Sequence, residues 1–290
     1  MKIPLNIFAP ISCGQKLTGV INGAEQMFNY ALKRFTTDKP LKKSIIYSDD
    51  NSCYQNLLST CMHEQNRINC FGGDHSMSKS TLYSSLYKTK GDMKLVWVDA
   101  YADMNTPLSS PSGNTHGMPV AYGLDLYTSL VVPSVKYSLK PDSIYYIGVR
   151  DLDRFEKHYI YENNIKMFTV DHVNSDLDSV LEEINNDKRP THFSFDVNSL
   201  DPEFISSTET PVLNGLTLDN ACSIMKYFTS KETTFHAEIV EYNPEIGNNI
   251  ESWESIKELL DNFVLDPDDD EILLQSLLTV LFLNTIALSP

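Results

Sequence analysis

Three short stretches of this 290-residue chain carry side chains able to hold a divalent cation: Gly72-Gly73-Asp74-His75-Ser76, Asp99-Ala100-Tyr101-Ala102-Asp103 and Asp196-Val197-Asn198. Just past a strand, alternate side chains can turn to one side, so Asp99 and Asp103 can present two carboxylates together. Asp196 would add a third carboxylate and His75 an imidazole, a donor set suited to Mn²⁺. Each stretch alone is a weak signal. A lone DxxxD is usually a solvated loop, and the GGDHS stretch could be a turn whose Asp74 caps a helix starting near Ser76. Their common setting carries more weight. Phe71, Val98 and Phe195 each end an apolar run just before one of the stretches. Ligands of open parallel sheets bind beyond the carboxyl ends of the strands, so the three stretches are expected to converge at one rim.

The elements that must position them follow from short runs rich in Val, Ile, Phe and Tyr. Strands are predicted at Pro4 to Ala9, Ser44 to Tyr47, Asn69 to Phe71, Lys94 to Val98, Ser143 to Val149, Lys166 to Val170, His192 to Asp196 and Thr234 to Glu241. Helical patterns lie at Gly23 to Arg34, Ser76 to Leu86, Asp176 to Asn185, Leu218 to Phe228 and Ile250 to Leu260. Strands alternating with helices imply crossover units and a parallel sheet covered on both faces, an α/β class. No repeat period and no Gly/Ser linker divides the chain, so residues 1–290 read as a single domain.

Composition narrows the function classes. Apolar residues make up 41% and charged residues 21%, enough for a sizeable core. The formal charge is -16, from 39 acidic against 23 basic side chains. No basic stripe is present, which argues against nucleic acid as a partner; a solvated acidic surface, or attraction of a cationic ligand, remains. The five cysteines match no zinc spacing and read as reduced, mostly buried thiols of a cytoplasmic protein. The opening MKIPLNIFAP reads as a first strand and not as a signal peptide. The apolar run from Ile272 to Leu288 is broken by Gln275, Ser276, Thr279, Asn284 and Thr285, so a buried terminal helix is expected and not a membrane span.

The segments GGDHS, WVDAYADMNTP, SGNTHGMP, SFDVNSLDP and EYNPEIG occur in an order and spacing that resembles the arginase (ureohydrolase) family, over nearly the whole chain. That resemblance implies a three-layer α/β/α fold around an eight-stranded parallel sheet. It also implies hydrolysis of a guanidino substrate at a two-manganese cluster, where a bridging hydroxide attacks the guanidinium carbon; arginases convert L-arginine to L-ornithine and urea. By the same resemblance His75, Asp99, Asp103 and Asp196 fall on ligands of the first metal, with Asp99 and Asp196 bridging to the second. Glu241 falls on the carboxylate that pairs with the guanidinium, and His116 on the proton shuttle. Asn105, Ser110, Ser112 and Asn114 fall on positions that hold the substrate's carboxylate, and Asp153 on the contact to its α-amine. Glu156 is a candidate behind Asp153, and Thr210 another pocket position. This set favours arginine or ornithine over agmatine, which lacks the carboxylate. His63, His158, His172, His192 and His236 match no ligand position.

Two positions depart from the family pattern. Tyr101 stands where a histidine ligand is expected, and Asn198 where a chelating aspartate is expected. A neutral phenol is a poor ligand, and deprotonating it is costly from a pKa near 10. Asn offers one neutral carbonyl in place of a two-oxygen anion. About one Mn²⁺ per chain is therefore expected, with the second site weak or empty and the rate of urea release reduced. The alternative is a catalytically inactive homologue, a pseudoenzyme that binds arginine or ornithine or regulates a partner subunit. A deacetylase of the same broad fold group would need histidine-rich segments that are missing here. Assembly is open between a homo-oligomer and a hetero-oligomer with an active homologue. The chain ends soon after its last apolar helix, without the longer tail many family members use in trimer contacts.

Overall fold

The computed structural model describes residues 3–34, 42–46 and 52–264. All eight predicted strands appear, as β1 (Leu5–Ala9), β2 (Lys42–Ile45), β3 (Ile68–Gly72), β4 (Lys94–Val98), β5 (Ile144–Ile147), β6 (Lys166–Phe168), β7 (Thr191–Asp196) and β8 (Thr234–Val240). They form one parallel sheet in the order β2-β1-β3-β8-β7-β4-β5-β6. β3, β4 and β7 are buried along their whole length, which is why they read as unbroken apolar runs and not as an alternating pattern.

Alternation survives in which layer each side chain enters. Val96 and Val98 of β4 join Phe71, Phe193 and Phe195 in a core covered by α1 (Val20–Arg34), α7 (Leu177–Asn186), α8 (Leu218–Thr229) and α9 (Asn249–Asp261). Leu95 and Trp97 point the other way, into a core closed by α3 (Ser78–Thr89), α4 (Pro119–Gly123) and α5 (Arg154–Glu162). Alongside it, α2 (Ser52–His63) packs Tyr54 and Leu57 on Ile7 and Cys70. The three-layer α/β/α architecture is therefore present. Among the described residues the remaining α-helix is the short α6 (Val170–Ser175).

Differences from the sequence reading are local. Helix α1 starts three residues earlier than its apolar stripe, and α2, α4, α5 and α6 have no counterpart among the predicted helices. Residue 47, at the end of one predicted strand, and the predicted terminal helix from 272 to 288 lie outside the described residues. Among the described residues no helix is long and apolar enough to cross a membrane.

The strand order places β3, β8, β7 and β4 side by side in the middle of the sheet. The four segments that follow them begin at Gly73, Glu241, Val197 and Asp99, so four candidate stretches leave four adjacent strands at one edge.

Candidate metal centre and ligand pocket

His75 sits in a single turn of 3-10 helix directly after β3, with Asp74 capping that turn through a bond from the Ser76 amide. The capping reading of Asp74 is thus correct. The imidazole stacks on Trp97 with centroids 4.1 Å apart and planes within 5°. Its Nε2 meets the Ser194 hydroxyl at 2.8 Å, which leaves Nδ1 facing the cleft. Nδ1 lies 3.1 Å from Asp99 Oδ2, 3.1 Å from Asp103 Oδ2 and 3.2 Å from Asp196 Oδ2. None of the three is aligned with this buried nitrogen as a hydrogen bond. One nitrogen equidistant from three carboxylate oxygens, all at most 6% exposed, is the arrangement a cation would complete. The donor set of one imidazole and three carboxylates fits Mn²⁺.

The electrostatics agree. Burial, together with the Asp99 charge, raises Asp103 to about 6 and Asp196 well above the usual carboxylate range. Burial alone would lower the pKa of His75, but the three carboxylates outweigh it and raise it well above the ordinary value. So much crowded negative charge wants a positive partner, either a proton or a metal ion. The backbone is also held in a costly shape. Asp103 has φ 49° and Glu241 φ 71°, both in the left-handed region that non-glycine residues avoid. Asp103 is braced by the Val120 amide on its carbonyl at 3.0 Å, and Glu241 by its own amide on Gly73 O at 2.8 Å.

Tyr101 and Asn198 lie on the same cleft, but neither offers an anionic ligand. The phenol of Tyr101 is pushed up to about 12, first by burial and then by the charge of Asp151, with Thr210 acting in the lowering direction. The amide oxygen of Asn198 already accepts the Ala100 N–H at 2.9 Å.

The carboxylate of Glu241 accepts the His75 amide at 2.7 Å and His116 Nδ1 at 3.1 Å on Oε1, and Gln15 Nε2 at 3.1 Å on Oε2. Burial disfavours its charge, but the His116 and His75 donors, His116 foremost, lower its pKa and keep it ionised. In return, although burial would lower His116, its bond to Glu241 raises it to about 10.

A cavity of about 230 Å³ joins these groups to Asn105, Ser110, Ser112, Asp153, Glu156 and Thr210. Asn105 donates to Asp153 Oδ2 at 2.7 Å. Glu156 accepts the Met104 and Asp153 amides at 3.0 and 2.9 Å, tying the 103–105 loop to the start of α5. Ser110 and Ser112 stand at the mouth, their hydroxyls bonded by the Gly113 and Asn114 amides. Asn114 lines no part of the cavity, and Asp99 sits behind its wall.

The sequence profile of the arginase family matches residues 40–264. The chain belongs to the arginase family. An arginase of Glaciozyma antarctica is 40% identical over 187 residues, 61% of this chain and 54% of that one. An arginase of Entamoeba histolytica is 37% identical over 185 residues, 62% of each chain. The chain thus spans between half and two thirds of the length of these curated relatives. The solved structure of Entamoeba histolytica arginase in complex with L-ornithine matches with a TM-score of 0.83 at 29% identity, covering 91% of this chain and 98% of that one.

Several residues around the arginase-family centre escaped the sequence reading. Trp97 donates from Nε1 to Asp99 Oδ2 at 3.1 Å, and Gln15 reaches Glu241 from the first loop. Arg150 donates to the carbonyls of Gly148, Asn198, Ser199, Leu200, Val212 and Leu213, fixing the loop that carries Asn198. His192 and His236 match no ligand position, yet they stack at 4.3 Å and meet Glu238 at 3.4 and 2.9 Å. Rings within 17° of parallel send their in-plane lone pairs alongside each other and not to one point. With Ser78 and Thr81 also donating to Glu238, the cluster is a hydrogen-bonded network and a poor cage for an ion. The signal for it was period two on β7: His192, Ser194 and Asp196 share one face.

Proposed function

We propose that this chain is an arginase-like ureohydrolase for L-arginine whose centre holds one Mn²⁺ firmly and whose activity is impaired at the second position. The reading rests on one contrast. The pocket that faces His75, Asp103, Asp196, Glu241 and His116 is intact, whereas Tyr101 is a phenol near 12 and Asn198 has its only anion-like atom on Ala100. His75, Asp99, Asp103 and Asp196 would hold the ion, which when bound polarises substrate and makes water a stronger nucleophile. On the same footing, the one sheet supports a single domain over residues 1–290.

The residues of the chain supply the rest. Glu241 is ionised, buried and anchored by the His75 amide and Gln15. A guanidinium entering the cleft gains a charge-assisted pair with that carboxylate in place of the His116 ring. Displacing His116 from Glu241 removes what holds its pKa near 10, so the imidazole becomes free to pass the Nδ1 proton to the departing amine. Asp153 at the start of α5 offers a carboxylate to an α-ammonium, and Ser110 and Ser112 offer hydroxyls to an α-carboxylate at the mouth.

A second reading, an inactive homologue that binds arginine or ornithine, is favoured by the same Tyr101 and Asn198 geometry. Calorimetric titration with arginine, ornithine, agmatine and putrescine, with urea release measured in parallel, tests both. Binding of the amino acids ahead of the two amines, with slow urea release, supports the first. Binding without urea release selects the second. Equal affinities or a preference for agmatine removes the arginine pocket from either.

A further inference from the structure

A second cavity, of about 390 Å³, adjoins the turn Thr115–Gly117 and shares no lining residue with the ligand pocket. Thr115 borders this cavity, whereas His116 and Gly117 border the ligand pocket. Lys79, in the first turn of α3, is part of its lining and only 3% exposed. Its Nζ lies 4.8 Å from the centroid of the Tyr54 ring and donates to Thr115 Oγ1 at 3.3 Å. Among the described residues that is its one hydrogen bond, and no carboxylate forms an ion pair with it. Asp74, the carboxylate whose charge acts on it most, has both oxygens committed to Gly14 and Ser76.

A lysine beside a cavity ordinarily carries its head out to water. This one keeps a charge buried. An ammonium has three N–H groups to place, and a buried charge without a counter-charge is costly. Burial lowers Lys79 to about 8, so it is still largely protonated at neutral pH. A charged donor with unused N–H groups on the wall of a cavity calls for an anion.

We propose that Lys79 anchors a binding site for a small aliphatic monocarboxylate. One ammonium offsets one negative charge. Phosphate or a dicarboxylate would bring more, into a chain whose formal charge is already -16. A carboxylate oxygen on Nζ makes a charge-assisted bond of about 2.7–2.9 Å, better than the long bond to Thr115. The hydroxyls of Thr115, Thr128 and Ser129 on the same lining supply donors for the second oxygen. Pro107, Met118 and Val131 give an alkyl chain apolar surface to cover. Cys13 and Leu130 also line the cavity and are both exposed, so it opens to solvent and a ligand can enter. The volume is within the range of small-molecule sites.

The test titrates the full chain calorimetrically with sodium butyrate in a zwitterionic buffer, with phosphate and chloride as comparison anions. In parallel, the rate at which iodoacetamide labels Cys13 is followed by peptide mass. Expected are saturable binding of one butyrate per chain, tighter than phosphate, and labelling of Cys13 slowed severalfold at saturation but not by chloride. Lys79→Met keeps the length of the stem and removes the charge, so it should weaken butyrate at least about tenfold. Its urea midpoint should be no lower than that of the unaltered chain, since a buried charge without a counter-charge is gone. The Cys13 readout uses the unaltered chain and does not depend on how the variant folds. No butyrate binding, a preference for phosphate, undiminished binding in Lys79→Met, or binding that leaves Cys13 labelling unchanged overturns the proposal. Neither readout uses arginine or urea release, so their failure is separable from failure of the arginase reading.

Discussion

The double substitution Tyr101→His with Asn198→Asp should raise both manganese content and urea release, and the structure gives the size of the deficit it removes. A Tyr101 phenol near 12 must lose a proton to become an anionic ligand. At pH 7.5 that is about 4.5 units, or about 6 kcal/mol before any attraction to metal. Turning the Asn198 oxygen into the cleft would strip the Ala100 N–H of its acceptor, at roughly 1–3 kcal/mol for a buried donor. Together these reach on the order of 7 kcal/mol, about five decades of affinity. Imidazole needs no deprotonation from a pKa near 6.5. An aspartate has a second oxygen to keep on Ala100. The assay is manganese per chain after dialysis, with single-turnover urea release from arginine at saturating metal. Either single change should do much less than the pair, because ligands of one ion act as a unit. Asp196→Ala in the restored background should abolish the gain. A double variant that holds two ions and still releases no urea would show that the pocket, and not the metal site, is what limits the chain.

Three further outcomes follow from the same contacts. Glu241→Gln should weaken arginine binding by about 10- to 100-fold by calorimetry, and should bring the His116 pKa from about 10 to below 8 in an NMR titration of the metal-free chain. Arg150→Ala, which removes one donor from each of six carbonyls, should lower stability by about 2–4 kcal/mol in urea denaturation. The pH dependence of stability should carry the mark of His236, held down to about 4 by burial and by His192. Below about 6.5 the unfolded chain takes up a proton that the folded chain refuses until about 4, so stability falls as pH falls through that window, by up to about 3 kcal/mol from this group. His236→Gln should flatten that slope in denaturation curves at pH 7, 6, 5 and 4.5.

The sheet was legible because its central strands are buried on both faces, so INCFG, KLVWV and THFSFD stand out without any knowledge of their neighbours. Helix α2, SCYQNLLSTCMH, was not, because its inner face mixes Cys and Tyr with Leu and its outer face is polar without charge. Helix α5 is nine residues long, and its start signal is ambiguous along the chain: Asp153 and Glu156 are three apart, as in a capping box, and the same two carboxylates read equally well as ligand groups. The capping box is present, since Glu156 receives the Asp153 amide, and both side chains also line the cleft. His75, Asp99, Asp103 and Asp196 were legible because they sit at strand ends. The direction in which Asn198 turns its amide, and the meeting of His192 with His236 and Glu238, were not. Those contacts depend on which strands are neighbours and in what register, and β7 beside β8 is information that lies across the sheet and not along the chain.

The most direct test of the central claim is manganese stoichiometry in the unaltered chain. The protein is loaded with excess Mn²⁺, dialysed exhaustively and measured for metal and protein together. One ion per chain, lost on His75→Ala or Asp103→Ala but retained on Tyr101→Phe, is the predicted result. Two ions firmly retained per chain, or none, would contradict it.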